Sequence, residues 1–132
     1  MPKLYEDLDD DSANEIQLLD DEIQKIKQVL VSKFENLRLP HVIPLAERVC
    51  IMYDGQVSDK SSLKRIFNTN LGYSRVPFPM VPKDPKDPSK VVLNLQARFF
   101  WEDVPFGLVI LKDIGRICGV ETPNMTKQIV FH

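Results

Sequence analysis

The stretch that decides the fold is RFFWEDVPFGLVILKDIGRICGVETP, residues 98–123. Its opening sets aromatics beside Arg98, Glu102, Asp103, Pro105 and Gly107, and an apolar run follows. Asp103-Val104-Pro105 reads as a helix start. Proline is favoured in a first turn, where its missing N–H costs nothing, and a carboxylate just before it accepts orphan N–H groups and meets the positive end of the dipole. Leu108, Leu111, Ile114 and Cys118 then recur at helical spacing, with Val109 and Ile117 widening the stripe. Gly119 reads as the stop, since glycine tolerates the left-handed cap conformation. Thr122 with Pro123 predicts a further helix, N-cap then first-turn proline.

The rest of the chain reads as helices that support this segment. Ser12-Ala13-Asn14-Glu15 fits a capping box, in which Ser12 and Glu15 satisfy each other's backbone donors. Ile16, Leu19, Ile23, Ile26 and Leu30 follow at three- and four-residue steps and predict an amphipathic helix to Lys33. Pro40 and Pro44 break the pattern. A second helix is predicted from Pro44 through Leu45, Val49 and Met52 to Asp54, with Gly55 as its stop. A third, capped by Ser58 or Asp59, carries Leu63, Ile66 and Phe67 and ends at Asn70 to Tyr73. Residues 76–90 hold Pro77, Pro79, Pro82, Pro85 and Pro88, with Lys-Asp-Pro repeated at 83–85 and 86–88. No helix survives there, so an exposed, extended loop is expected, either a variable surface insertion or a binding strap. Residues 91–95, VVLNL, read as a short extended lead into Arg98. Met125, Ile129 and Val130 mark a last helix that runs to the end of the sequence as if cut, so the chain is expected to be a fragment.

A length of 132 residues leaves room for one domain with a modest core. The formal charge of −2 gives no general pull toward nucleic acid or anionic membranes. Nine of the 19 acidic residues fall between Glu6 and Glu22, which reads as a solvated acidic face. Cys50 and Cys118 each sit in an apolar helical pattern, as free thiols buried in a reducing compartment would. There is no basic-then-apolar leader and no apolar run long enough to span a bilayer. A cytoplasmic protein is therefore expected, with neither membrane nor nucleic acid as partner.

His41 and His132 stand far apart and lack metal-ligand spacing to a cysteine or carboxylate, so no metal site is expected. No GxSxG, HExxH or P-loop occurs. The glycines never form G-x-G-x-x-G, and the chain has no dinucleotide-binding fingerprint of its own. On local pattern alone, Asp103 is a helix N-cap and Arg98 a surface cation or the partner of an aspartate. Trp101 and the phenylalanines beside Arg98 read as packing residues. Glu102 either orients Arg98 or is solvated.

The same residues also resemble a family. Arg98, then Glu102-Asp103-Val104-Pro105-Phe106-Gly107-Leu108, then Gly119-Val120 and Thr122-Pro123, are similar to the C-terminal helical domain of the octopine/nopaline (opine) dehydrogenases. Leu4-Tyr5-Glu6-Asp7-Leu8, the helix start near Ser12 and Leu19-Asp20-Asp21-Glu22 resemble that domain's first helix. The resemblance implies an all-α single domain of about five helices over residues 1–132, of the 6-phosphogluconate dehydrogenase C-terminal-like kind. It implies an enzyme that reductively condenses a 2-oxo acid with an amino acid using NAD(P)H, in a cleft between this domain and an N-terminal Rossmann domain lying outside this chain. In such enzymes a histidine oriented by an aspartate works as acid/base. The aspartate matches Asp103, whereas neither His41 nor His132 stands in the histidine's place. The arginine five residues before that aspartate matches Arg98 and faces bound anions, with Glu102 beside it. The competing expectation is a stand-alone helical module that keeps the fold and acts by protein interaction.

Overall fold

The long amphipathic pattern near the N-terminus folds as helix α1, Asp10–Lys33, and three of the later helices pack against it. The structure is a computed structural model and describes residues 2–131. After α1 come α2 (Leu45–Met52), α3 (Leu63–Asn68), a 3-10 turn (Leu71–Tyr73), strands β1 (Met80–Asp84) and β2 (Asp87–Leu93), a π-helix (Phe99–Leu108), α4 (Val109–Cys118) and α5 (Pro123–Phe131). The architecture is helical, as the sequence patterns imply, with one small hairpin added.

Residues of α1 close the ends of three other helices. The Asp20 carboxylate, 7% exposed, accepts the Leu45 N–H at 2.8 Å at the start of α2. Glu22, 2% exposed, accepts the Asn124 N–H at 2.7 Å, the Asn124 side-chain amide at 2.8 Å and the Met125 N–H at 2.9 Å, all in the first turn of α5. At the other end of α1, Lys33 Nζ donates to the Cys118 carbonyl, the last of α4, at 3.0 Å. The signs follow the helix dipole, with carboxylates at N-termini and an ammonium at a C-terminus. The acidic stretch is thus not simply a solvated face. Asp10 pairs with Lys64, and Glu15 with Lys127 and Gln128.

The predicted capping box does not form. The α1 cap is Asp9, whose Oδ1 accepts the Ser12 N–H at 2.7 Å, so the helix starts earlier and Glu15 is free to reach α5. The Ser12 bond also holds the Asp9 carboxyl below its usual range. Likewise α3 is capped by Ser62, which accepts the Arg65 N–H, and not by Ser58 or Asp59. Asp59 instead accepts the Ser61 N–H and pairs with Arg65 at 2.7 Å; those bonds, Ser61's first, pull its carboxyl down to about 2.

Two packing regions result. Val49, Val57, Leu63, Ile66 and Phe67 form the buried cluster between α2 and α3, covered by Tyr5, Leu8, Ile16 and Tyr73. Where α1, α4 and α5 meet, Ile26, Gly115, Cys118 and Met125 are buried. A Cβ at Gly115 would lie 3.1 Å from Thr122 Cγ2 and 3.2 Å from Ile26 Cδ1, so glycine lets the three helices approach. Gly119, at φ +75°, ends α4 as read from the sequence. Its N–H donates to the Arg116 carbonyl and the Val120 N–H to that of Gly115, the paired bonds of a Schellman cap. Ile117 departs from the predicted stripe: it is 74% exposed, because the buried face of α4 runs through Gly115 and Cys118. Both cysteines are free, Cys118 buried and Cys50 half-buried.

The proline-rich stretch is exposed and non-helical, but it is ordered by pairing. β1 and β2 are antiparallel with Met80 opposite Leu93 and Pro82 opposite Val91. A two-stranded ribbon has two open edges, where a proline's missing N–H is harmless. Each Lys-Asp-Pro repeat makes its own turn: Asp84 accepts the Lys86 N–H and Asp87 the Ser89 N–H.

Removing the Glu22 carboxylate strands buried donors, so Glu22→Ala is expected to destabilise the fold by about 2–4 kcal/mol. The exposed Glu121→Ala should change stability by about 0.5 kcal/mol or less. Urea midpoints measure both. Equal midpoints for the two variants would show that α5 does not depend on this cap.

Candidate functional site

Residues 98–108 do not start a helix at Asp103. The π-helix begins at Phe99, after Arg98, and runs unbroken into α4. Asp103 therefore lies inside a helix and caps nothing, which corrects the local reading. The physical reason is Pro105. In an α-helix its ring would press on the carbonyl of Trp101, four residues back, and would remove one bond. A wider π turn relieves that crowding, and at its end the Val109 N–H donates to the Val104 carbonyl, five residues back.

On this segment Arg98 Nε meets Glu102 Oε2 at 2.8 Å, with side chains 75% and 46% exposed. Of the two readings of Glu102, the orienting one fits this geometry. Asp103 is exposed and makes no ion pair among the described residues. Trp101, Glu102, Asp103, Phe106 and Gly107 line one open groove of about 630 Å³. Trp101 does not pack inward as expected: it is 62% exposed, and Phe106 72%. The indole N–H donates to the Gln96 carbonyl at 3.2 Å, which fixes the ring on the groove wall. His41 lines a separate groove with Pro40, Ile43, Arg48, Ile51 and Met52, and His132 lies outside the described residues.

The chain's three tyrosines, which the sequence patterns did not single out as a set, converge nearby. Tyr5 and Tyr73 stack at 4.4 Å between ring centres, Tyr53 meets Tyr73 edge-on at 4.8 Å, and Phe67 stacks on both Tyr5 and Tyr73. Burial pushes the Tyr73 phenol up to about 12, helped by Tyr53 and Tyr5 and opposed by Arg48. Burial also raises Tyr5, with further contributions from Tyr53 and from the Asp103 carboxylate. Tyr5 and Tyr73 are thus neutral hydroxyls at physiological pH, and the Asp103 charge is felt at Tyr5. Their positions, 5, 53 and 73, share no period, so only the fold brings them together. Among the described residues no group of three histidine, cysteine or acidic side chains could hold a metal, and no helix is long and apolar enough to cross a membrane.

Solved structures of octopine dehydrogenase share this fold. The one with NADH and L-arginine superposes with a TM-score of 0.88 at 21% identity, over 98% of this chain and 31% of that one. The one with NADH and agmatine gives 0.87 at 20% identity, again over 98% and 31%. At that identity the likeness speaks for the fold alone. The profile of the NAD/NADP octopine/nopaline dehydrogenase alpha-helical domain matches residues 2–132. Tauropine dehydrogenase of Arabella iricolor is 30% identical over 128 residues, 97% of this chain and 32% of that protein. Opine dehydrogenase of Haliotis discus hannai is 29% identical over 130 residues, 98% and 31% respectively. The chain belongs to the octopine/nopaline dehydrogenase family and is its alpha-helical domain. It spans about a third of the length of these relatives.

The Tyr73 shift has a stability consequence. A phenol raised from about 10 in the unfolded chain to about 12 in the fold holds its proton more tightly when folded. Its contribution is complete below pH ~10 and is lost as pH rises from there through the folded value. Tyr73→Phe should abolish the highest-pH step in a phenolate absorbance titration and flatten the alkaline loss of stability. An unchanged highest step would show that Tyr73 is not the shielded phenol.

Proposed function

We propose that this chain is the substrate-facing helical domain of an NAD(P)-dependent opine dehydrogenase, an oxidoreductase acting on a CH–NH bond. The observation that carries the proposal is the set of Arg98, at the entry to the π-helix, with Glu102 and Asp103 on its first turns, in a chain whose relatives are dehydrogenases of this family. In this scheme the nucleotide is held mainly by a Rossmann domain outside residues 1–132, and these residues alone do not turn over.

The reaction joins the amine nitrogen of an amino acid to the carbonyl carbon of a 2-oxo acid, and water leaves to give an imine. The imine nitrogen is protonated, and its carbon takes a hydride to become a secondary amine. The nucleotide, when bound, supplies that hydride. Asp103 is free of any capping duty and exposed in the groove. It orients an acid/base imidazole from the rest of the enzyme and stabilises its protonated form, which suits a group that passes a proton to carbonyl or imine. Arg98 offers a planar fork that fits a carboxylate or a pyrophosphate. Glu102 acts on the anion site indirectly, holding the Arg98 guanidinium in place until an anion takes it over. Because Arg98 and Glu102 are both substantially exposed, their pair is worth only about 0–1 kcal/mol. That is little for an incoming anion to displace.

The competing interaction module finds support in exposed apolar residues: Ile117, Val130 and Phe131 are 74%, 80% and 81% exposed. The same residues would serve a domain interface in the dehydrogenase. NAD(P)H oxidation by the complete protein with pyruvate and a panel of amino acids separates the two.

In the complete enzyme, Asp103→Asn should lower kcat by about a hundredfold to ten-thousandfold. Its thermal midpoint should stay close to wild type, because the replaced side chain is exposed. Near-normal turnover would remove Asp103 from the mechanism. Arg98→Ala should raise KM for the oxo acid or Kd for the nucleotide by about tenfold or more. Unchanged values for both would leave Arg98 with no role beyond the surface pair.

A further inference from the structure

Residues 70–75 concentrate features that a chain avoids unless something depends on them. Asn70 is 2% exposed, and its side-chain nitrogen has no hydrogen-bond partner among the described residues. A buried donor without an acceptor is destabilising. Gly72 lies so close to the Tyr53 ring that any Cβ there would collide with it. Arg75 takes a left-handed backbone, φ +65°, which a residue with a side chain rarely adopts. Such features gather where a fold must hold side chains in one arrangement. Here they hold the tyrosine cluster. Asn70 Oδ1 accepts the Gly72 N–H at 2.9 Å and shapes the turn, Gly72 seats Tyr53, and Tyr73 touches both Tyr53 and Tyr5. Packing alone does not need three hydroxyls in such a cluster, since phenylalanine rings would stack as well.

The cluster is tied to the groove through the backbone. Beside Tyr5, the Leu4 N–H donates to the Val76 carbonyl at 2.8 Å, and the Phe78 N–H to that of Pro2 at 3.0 Å. The Asn94 N–H donates to the Pro79 carbonyl at 2.8 Å, and two residues on, the Gln96 carbonyl holds the Trp101 indole. The N-terminal segment, the base of the hairpin and the groove wall are thus one hydrogen-bonded array. Burial, then Tyr53 and the Asp103 carboxylate, raise the Tyr5 phenol, so Tyr5 keeps its proton and remains a donor. Asp103 needs such a donor. One of its oxygens serves the imidazole in the proposed mechanism, and the other must be held for the carboxylate to keep one orientation. Arg98, the cation beside it in sequence, is engaged by Glu102. A neutral phenol suits the task, because it fixes the carboxylate and leaves its charge for the imidazolium.

We propose that Tyr5 is a positioning residue: in the closed, complete enzyme its hydroxyl donates to one oxygen of the Asp103 carboxylate and turns the other toward the imidazole. Tyr73 and Phe67 hold the Tyr5 ring by stacking on it, and Tyr53 holds Tyr73. This rests on the opine dehydrogenase function proposed above.

Tyr5→Phe keeps the ring and its stacking and removes only the hydroxyl. In the complete enzyme it should lower kcat by about tenfold, the loss of one positioning hydrogen bond. KM for the oxo acid and the amine, and Kd for NADH, should stay within about twofold of wild type. An effect that runs through Asp103 disappears once Asp103 is disabled, so adding Tyr5→Phe to Asp103→Asn should change kcat by less than about twofold. A hydroxyl that serves only the fold would lower kcat equally in both backgrounds, and that result overturns the proposal. Wild-type kcat in Tyr5→Phe beside a defective Asp103→Asn also overturns it and leaves the dehydrogenase function standing. A phenolate absorbance titration of the complete protein tests the contact without turnover. The step that Tyr5→Phe removes should move to lower pH by about one unit in Asp103→Asn, because the charge opposing the phenolate is gone. If no donor supports NADH oxidation, the dehydrogenase function falls and this step decides alone. A step that moves upholds the contact between Tyr5 and Asp103, and a step that stays overturns it.

Discussion

The buried carboxylate of Glu22 is the constraint on which the arrangement of this domain depends. Alone, a charge 2% exposed to solvent would be costly. Here it accepts two backbone N–H groups and a side-chain amide from the first turn of α5. Those donors would themselves be orphans in a buried helix start, so each side solves the other's problem. Asp20 does the same for α2, and Lys33 does the converse for the end of α4. Helix α1 thereby sets where three other helices begin or end. The direction of α4 fixes the π-helix fused to its N-terminus, and so the groove that holds Asp103.

That division explains which parts of the fold were legible in the sequence. The apolar period of α1, the Gly119 stop and the Thr122-Pro123 start depend on neighbours in the chain, and they stand where the patterns put them. The caps read incorrectly are those with local competitors. Asp9 outbids Ser12, and Ser62 outbids Ser58 and Asp59, because several short polar side chains precede each helix and the final backbone angles choose among them. Glu22 capping α5 from a hundred residues away leaves no local mark at all. The hairpin was hidden by its prolines, which argue against a central strand but not against a two-stranded ribbon.

The candidate site was reached by a different route. Local physics alone misreads Asp103 as a cap, since Asp-x-Pro is a good helix start. The length and order of the motif point to the family, and the structure removes the competing structural duty by placing Asp103 inside a helix. The pairing of Arg98 with Glu102 follows from a spacing of four residues. The tyrosine cluster and the exposure of Trp101 and Phe106 could not be read, because both depend on how distant segments meet. A π-helix at such a place is consistent with function: it keeps a proline and a glycine within a helix and turns acidic and aromatic side chains into one groove.

In the proposed function, Arg98, Glu102 and Asp103 form a poised site that changes partners when the complete enzyme closes on its ligands. The most direct measurement is a crystal structure of the complete enzyme with NADH and a 2-oxo acid bound. An Asp103 carboxylate oxygen is expected within about 2.6–3.2 Å of an imidazole nitrogen, and the Arg98 guanidinium is expected to leave Glu102 for a carboxylate or phosphate oxygen. An Asp103 facing solvent in the closed complex, with Arg98 still on Glu102 and no anion near either, would contradict it.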